Sequence, residues 1–525
     1  MIVQDQKSIV ARLISLLCKT SQHQNILATQ GILDSLASIL ASFVVARGEV
    51  IPGAENVAQC DGLYDAFPDP APLGASLALV LGAISTIIAD SRFRTCMLMC
   101  SPAIMAVFPS VDSTHPPREA KAAWTALEVS NLGSLRTRTP GAMDYLLPVV
   151  PITQQRPLSG QLAQFPPLGY SPTNDNLAAG VRSSAAKFSS WDPGRVETGS
   201  PGSDPEIEDV ESPLVPWLIH LVRSTSGIER VMAASVLTSL YKAGFAIPER
   251  ESAIGILVIP LLCRLIRDHD KLVPAGSLKS NYVDGDTVSD WAILERTPEV
   301  LARLVADSDF LQQAAADCGA LKMAGKLLKN AYEALPVQTT PRPWSPTPDR
   351  GASPEEGLPT CRIGPAGHLP IYAHRIKMRE SALKMMAGLG ALKEEYRKAL
   401  ADPENLQCIV ESLTSTPTKP MSPLEKQRQG KSALTQAGGE NSPYGFNPDS
   451  VIIAACHAAR VLSRSVSNLR TVLEDSDLAL PIYQLLRSPN ADIQIAACGV
   501  ICNLVPNFSP LRAVSQSIPK LSILR

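Results

Sequence analysis

The chain has 525 residues, of which 45 % are apolar and 5 % are aromatic. Its formal net charge is −2, from 48 basic and 50 acidic residues, which excludes a general electrostatic attraction to nucleic acid or anionic lipid. Eleven cysteines occur without any CxxC pair, which excludes an ordinary RING zinc module. The apolar residues are mostly Ala, Leu and Ile, which favours closely packed helices over sheets.

The first residues lack the basic, apolar and small-residue segments of a signal peptide. An uncharged run, Leu73–Ala89, is 17 residues long, at the short edge of a membrane-spanning helix. It is rich in Gly, Ala and Ser, and Asp90 and Arg92 follow it at once. We therefore predict a buried helix there, no integral membrane span, and a location in the cytoplasm and nucleus.

A repeated helical pattern is the main signal along the chain. A short helix leads into a bend, and a second helix with apolar residues three and four apart follows the bend. This pair recurs in three segments, His23–Leu40, Phe310–Leu328 and Leu473–Leu486. Gly31, Gly319 and Asp477 occupy the bend, as expected for a position with a left-handed backbone.

An Ala-rich third helix closes each unit. In the clearest copy, Asp492–Leu504, apolar residues recur every three or four positions and form one continuous face. The predicted third helices are Glu119–Leu132, Glu229–Leu240, Met378–Leu389, Val451–Leu462 and Asp492–Leu504. Together the fragments predict about seven units of roughly 40 residues, the length of armadillo or HEAT repeats.

Helical blocks alternate with stretches rich in Pro, Ser and Thr, which cannot bury a core. Helical repeats are predicted at 1–132 (with an incomplete first repeat and a loop at about 48–70), 213–334, 371–413 and 450–512. Disordered stretches are predicted at 133–212, 335–370 and 414–449, and a non-repeat tail at 513–525. The second and third of these stretches separate a second helix from its third helix, which a solenoid tolerates because each repeat stacks only on its neighbours.

The three-helix unit resembles the armadillo family, whose third helix often reads Ala-Ala-Trp-Ala-Leu-x-Asn-Leu. AACGVICNL matches this with Asn503 in the asparagine position, and AAWTALEV keeps the tryptophan as Trp124. Residues 10–37, 301–329 and 497–512 further resemble the fungal armadillo subunit of the GID ubiquitin ligase, the CTLH complex of animals.

This resemblance implies an all-α, right-handed superhelical solenoid with long disordered loop insertions. It also implies a non-catalytic scaffold without a cofactor, which binds core subunits that carry CTLH domains and docks a substrate receptor. The outcome would be proteasomal degradation of metabolic enzymes. An armadillo adaptor in nuclear transport or in vesicle and vacuolar trafficking is the alternative.

The chain departs from this family at its ends. It begins on what the pattern predicts to be a third helix, and residues 513–525 match no repeat. We therefore expect a gene model that is truncated at both ends.

The concave face of such an array is lined by the third helices. An asparagine amide there can donate to and accept from an extended peptide, and Asn503 is the predicted example. Arg460, Ser239 and Glu128 take the equivalent positions, and Trp124 the tryptophan position. The mixture differs from the repeated Trp and Asn of nuclear-import adaptors and argues against a receptor for nuclear-localisation signals.

No constellation for catalysis or metal binding is predicted. Cys456 and His457 are adjacent, but neighbouring helix positions point about 100° apart, so Cys456 is predicted to be a buried structural residue. Gly430-Lys431-Ser432 resembles the end of a phosphate loop, but Glu425 replaces the first glycine. We therefore predict no enzyme activity and no nucleic-acid partner.

Overall fold

The computed structural model describes a defined part of the chain. The described residues are 2–18, 20–109, 143–148, 211–270, 285–333, 370–418, 420, 445–465 and 478–504. The predicted tail and most of the three predicted disordered stretches lie outside these ranges. Within them, the secondary structure is helical and no strand occurs.

Twenty α-helices form in the described residues. In chain order they are α1 (Ile2–Leu17), α2 (Ser21–Thr29), α3 (Ile32–Arg47), α4 (Ala54–Cys60), α5 (Leu77–Ile88), α6 (Arg92–Met99), α7 (Pro102–Val107), α8 (Leu214–Ser224), α9 (Gly227–Lys242), α10 (Arg250–Leu257), α11 (Ile259–Asp270), α12 (Gly285–Val305), α13 (Asp309–Asp317), α14 (Ala320–Ala331), α15 (Pro370–Leu389), α16 (Glu394–Leu400), α17 (Pro403–Ser412), α18 (Asp449–Leu462), α19 (Ala479–Leu485) and α20 (Ala491–Leu504). Short 3-10 helices occur at Tyr64–Ala66 and Asp144–Leu146.

The helices repeat in groups of three, a short first helix, a second helix and a third helix. Complete groups are α2, α3 and α5, then α10, α11 and α12, then α13, α14 and α15, then α16, α17 and α18. The third helices form a row, because each of α1, α5, α9, α12, α15, α18 and α20 packs against the next. This sequence of neighbour contacts is that of a solenoid, and the predicted all-α armadillo-type fold is confirmed.

The predicted bend residues have the predicted backbone. Gly31 has φ 77° and Gly319 has φ 83°, in the left-handed region that costs a residue with a Cβ free energy. Each glycine immediately precedes a second helix, α3 or α14. Asp477, the third predicted bend residue, lies outside the described residues.

The apolar run at Leu73–Ala89 forms the buried helix α5, as predicted, with Leu81, Ile84 and Ile87 fully shielded from solvent. The structure places α5 in the row of third helices, because it packs directly against α9. This position was not predicted. The helix predicted at Glu119–Leu132 lies outside the described residues. The repeat pattern did not identify α5 as a third helix because the helix is apolar on nearly every side and has no polar stripe.

Two predicted loops contain ordered structure. Helix α4 lies within the predicted loop at 48–70, and its Ala54 and Ala58 are buried. Within the predicted disordered stretch 133–212, Met143 is fully buried. Contacts with residues distant in sequence order this segment. For example, the carbonyl oxygen of Leu146 lies within hydrogen-bond distance of His220 Nδ1, at 3.3 Å.

Arg250 joins the two flanks of this long insertion. Its Nη2 lies 2.8 Å from Oδ1 of Asp144, and its Nε donates to the carboxylate of Glu211 at 3.0 Å. These carboxylates stand on opposite sides of residues 149–210. A guanidinium presents several donors in a fixed plane, so one buried side chain holds both flanks at the start of α10.

A second buried arginine connects three neighbouring elements. Arg379 on α15 is 1 % exposed, its Nε and Nη2 donate to the carbonyl oxygen of Ala331 at 3.3 and 3.2 Å, and its Nη1 donates to Oδ1 of Asn447 at 2.9 Å. The guanidinium carbon lies 4.1 Å from the ring centroid of Tyr332. The arginine thus ties the end of α14 to Asn447, two residues before α18.

Candidate protein-binding surface

Polar side chains cover one surface of the third helices from α12 to α20. Those that are exposed or half-exposed are Arg296, Glu299, Arg303, Lys377, Lys384, His457, Arg460 and Asn503. They lie on four consecutive members of the row and come from segments far apart in sequence. We call this set the third-helix surface.

The third-helix surface does not extend over α9. Ser239, predicted to be a binding residue, is 4 % exposed, and its hydroxyl donates to the carbonyl oxygen of Ser235 at 3.3 Å. Arg303 of α12 reaches across to Asp90, just beyond α5, with an N–O distance of 2.9 Å. Ser239 is therefore buried in the packing of α9 and is not placed at the surface as the prediction expected.

A network of ion pairs links α12 to α15. Lys384 lies 2.6 Å from Glu299 and 2.8 Å from Glu380, and Glu380 also accepts from Lys377 at 3.2 Å. Burial raises the pKa of Glu380, but the two lysines more than offset this and bring that pKa to about 2. The oxygen Oε2 of Glu380 also accepts from Ser450 at 3.0 Å, which extends the network to α18.

Asn503 and Arg460 are brought together between α18 and α20, as neighbouring positions in the predicted ladder should be. The amide nitrogen of Asn503 donates to the carbonyl oxygen of Arg460 at 2.9 Å and to Oγ of Ser463 at 3.1 Å. These two bonds use both amide hydrogens. Of the Asn503 amide group, only the side-chain oxygen therefore remains for the predicted contact with a peptide backbone.

The side chain of Arg460 lies across α20. A Cβ on Gly499 would come within 3.1 Å of Arg460 Cδ and 3.3 Å of its Cζ. The glycine, which stands where an armadillo third helix often has tryptophan, thus leaves space for the arginine to extend along the helix.

Two further arginines lie beside Arg460, and sequence analysis missed both. The Nη1 of Arg397 donates to the carbonyl oxygens of Gly390 at 3.2 Å and Ala391 at 3.3 Å, and Nη1 of Arg464 approaches that of Ala391 at 3.5 Å. Burial lowers the pKa of Arg464, and the positive charges of Arg460 and Arg397 lower it further. Arg460 and Arg464 are four residues apart, a spacing from which a pair of neighbouring arginines could have been predicted. Arg397 could not be found in this way because it lies on another helix, α16.

The adjacent Cys456 and His457 point in different directions. Cys456 is fully buried, and burial raises the pKa of its thiol to about 12. His457 is exposed on the third-helix surface, and burial of part of its ring lowers its pKa, as do Arg460 and Lys384. The buried structural role predicted for Cys456 agrees with this placement.

Within the described residues, no three His, Cys, Asp or Glu side chains are grouped as a metal ion would require. None of the described helices is alone long and apolar enough to cross a membrane, and only α2 with α3, bent by 72°, reaches that length together. Trp124 and Glu128, the other predicted binding residues, lie outside the described residues.

No protein-family model matches the chain. Among curated proteins, residues of this chain are 27 % identical to GID complex subunit 5 of Schizosaccharomyces pombe over 295 residues. The chain is similar to GID complex subunit 5. The matched region is 56 % of this chain but 29 % of that protein's length.

Armadillo repeat-containing protein 8 of Xenopus laevis is 29 % identical to this chain over 138 residues, which cover 26 % of this chain and 15 % of that protein. The same protein of Danio rerio is 28 % identical over the same length. The resemblance predicted from the sequence is therefore confirmed. The chain spans less than a third of the length of each of these relatives, including GID complex subunit 5.

Solved structures that resemble this chain include a designed armadillo repeat protein, with a TM-score of 0.29 and 14 % identity over 56 % of this chain and 82 % of the designed chain. An engineered protein covers 96 % of both chains with a TM-score of 0.33 and 11 % identity.

Proposed function

We propose that this chain is a non-enzymatic scaffold subunit of a GID-type ubiquitin ligase complex. The observation that carries the proposal is the similarity to GID complex subunit 5 over 295 residues. The exposed and half-exposed polar side chains of α12, α15, α18 and α20 support a binding role, because they lie on four consecutive helices of the row. In this role the protein acts in the cytoplasm and nucleus.

The scaffold binds core subunits that carry CTLH domains and docks a separate substrate receptor on them. Ubiquitin transfer belongs to other subunits, and the substrates are metabolic enzymes marked for the proteasome. This division of labour agrees with the absence of CxxC spacing from the sequence.

Affinity purification of the tagged full-length chain from cells that express it tests the proposal. CTLH-domain subunits should co-purify reproducibly, and the half-lives of the complex's substrates should lengthen when the chain is deleted. Recovery of nuclear-transport or vesicle-trafficking cargo in place of those subunits would contradict the proposal and favour the adaptor function.

A further inference from the structure

Three arginines form a cluster where α16, α18 and α20 meet. Arg397 is on α16, Arg460 is on α18, and Arg464 lies two residues beyond the end of α18. Arg460 and Arg464 are exposed, and Arg397 is half-exposed. We call these residues the arginine cluster.

The arginine cluster differs from the other basic residues around it in its partners. Lys384 pairs with Glu299 and Glu380, Lys393 lies 3.2 Å from Asp309, and Lys398 lies 3.6 Å from Glu394. By contrast, no carboxylate oxygen of the described residues lies within 4.0 Å of the guanidinium nitrogens of Arg460 or Arg464. The positive charge of these two residues is therefore not neutralised within the described part of the chain.

The two side chains are held in place without being neutralised. Gly499 lets Arg460 lie along α20, and Asn503 fixes the backbone of Arg460 through its carbonyl oxygen at 2.9 Å. Arg464 contacts the carbonyl oxygen of Ala391 at 3.5 Å, which leaves most of its five donors for other partners. A positioned guanidinium loses less conformational entropy on binding than a free one.

The spacing of the pair fits one kind of ligand. Arg460 is in the last turn of α18, and Arg464 is in the turn that follows, where its amide donates to the carbonyl oxygen of Val461 at 3.2 Å. The two residues are four apart in sequence, and on a helix that spacing places Cβ atoms about 5–6 Å from each other. In an extended peptide, residues two apart are separated by roughly 6.6 Å and point to the same side. A segment with acidic residues at every second position therefore presents two carboxylates at a matching interval, and guanidinium binds carboxylate bidentately.

We propose that the arginine cluster binds an extended acidic peptide segment of a partner protein, with alternate Asp or Glu residues paired to Arg460 and Arg464. The proposal rests on the scaffold function and deepens it by naming the chemistry of a segment that docks on the third helices. Nucleic acid fits less well, because binding along a phosphate backbone needs a longer basic stripe than Arg397, Arg460 and Arg464 provide.

Fluorescence anisotropy with the purified full-length chain tests this directly. The probe is a short labelled peptide that alternates Glu with Gly, and the control peptide has Gln in place of each Glu. The Glu peptide should bind saturably and more weakly as salt rises, and the Gln peptide should not bind. The double variant R460E/R464E should weaken binding at least about tenfold.

Two variants separate the cluster from general charge. Arg223→Glu reverses an exposed arginine on α8 and should leave the affinity unchanged. The R460K/R464K variant keeps both charges but loses bidentate geometry, so its affinity should fall between wild type and R460E/R464E. Because both side chains are exposed, helical circular dichroism of all variants should match that of wild type.

Equal binding of the Glu peptide by wild type and R460E/R464E would overturn the proposal. So would equal binding of the Gln peptide, or an unlabelled RNA of the same charge that displaces the Glu peptide at lower concentration. Failure of CTLH-domain subunits to co-purify, with peptide binding intact, would instead contradict the scaffold function alone.

Discussion

Gly388 of α15 lies against the backbone of Ala302 on α12, and a Cβ on Gly388 would come within 2.6 Å of the Ala302 carbonyl oxygen. The side-chain nitrogen of Gln312 donates to the carbonyl oxygen of Gly388 at 3.0 Å. Two consecutive third helices therefore touch through their backbones, with no side chain between them. Backbone cannot move aside as a flexible side chain can, so this contact fixes the distance between two repeats.

Gly388→Ala is expected to destabilise the protein by about 1–3 kcal/mol, the usual cost of forcing extra atoms into a packed interface. The sign of the change in unfolding free energy is informative, because Ala in place of Gly inside a helix ordinarily stabilises the folded protein by roughly 0.5–1 kcal/mol. Urea unfolding followed by circular dichroism measures the change.

The matched control is Gly499→Ala, whose nearest neighbour is the long side chain of Arg460 at 3.1 Å. That side chain can shift, so this variant is expected to be neutral or more stable than wild type. A Gly388→Ala protein as stable as Gly499→Ala would show that α12 and α15 are not in backbone contact.

Arg94 joins the first repeat to the second from a buried position that is 3 % exposed. Its Nε donates to Ile87 O and its Nη2 to Ala89 O, both at 2.6 Å, while Asn25 and Gln24 accept at 2.6 and 2.7 Å. All these partners are neutral oxygens. The arginine therefore replaces its lost hydration with hydrogen bonds to helix ends and amides.

Arg94→Met should cost about 3 kcal/mol, because it removes the four hydrogen bonds that the buried guanidinium donates. Thermal and urea unfolding would both register the loss. Arg92→Met, on the exposed side of the same helix, should change stability by less than about 0.5 kcal/mol. Similar losses in both variants would mean that the hydrogen bonds of Arg94 do not stabilise the junction.

The bend glycines and the apolar stripes of the third helices could be predicted because they are local properties. The glycines Gly31 and Gly319 predict a left-handed backbone at their own positions. The apolar stripe of Asp492–Leu504 is predicted from the spacing of the apolar residues within that segment. Helix α4 was missed because it lies in a stretch with Gly and Pro and has only seven residues, with Ala54 and Ala58 as its buried contacts.

The surface residues were harder to predict, since exposure depends on residues far away in sequence. Ser239 has the periodicity of a groove position, but it is 4 % exposed because the helices on either side pack against α9. Arg460 was identified from its place in the repeat. Its association with Arg397 required the packing of α16 against α18, which no local pattern encodes.

Glu380 is expected to make stability depend on pH in the acid range. Its pKa is about 2 in the folded protein because Lys384 and Lys377 outweigh the effect of burial, against an ordinary value of 4.5. A depressed pKa stabilises the folded state above the ordinary value, and this stabilisation is lost as pH falls from about 4.5 towards 2. The contribution at neutral pH is on the order of 3 kcal/mol.

Glu380→Gln should therefore lower the urea midpoint at pH 7 and flatten its decline between pH 4.5 and about pH 2, the window that the two pKa values define. The exposed Glu395 on α16 provides the matched variant, Glu395→Gln, which should keep the wild-type dependence. If Glu380→Gln declined as steeply as wild type, the ion pairs with Lys384 and Lys377 would not stabilise the charged form.

Cys318 is expected to be the thiol that reacts at neutral pH. It caps α13 and is partly exposed, and its hydrogen bond with the buried Cys263 lowers its pKa to about 7. The thiolate is the reactive form, and an ordinary thiol has only a few per cent of it at this pH. The rate of alkylation of Cys318 by iodoacetamide, followed by peptide mass spectrometry, should therefore rise with pH through a midpoint near 7.

Cys263→Ala removes the hydrogen bond and should move that midpoint to higher pH, since the Cys318 thiolate loses the group that stabilises it. Arg267, which donates to the carbonyl oxygen of Cys318 at 2.9 Å, remains in this variant and supplies only a smaller lowering. Cys60→Ser removes an exposed thiol on α4 and should leave the Cys318 profile unchanged. An unaltered midpoint in Cys263→Ala would assign the reactivity of Cys318 to Arg267 instead of to the neighbouring thiol.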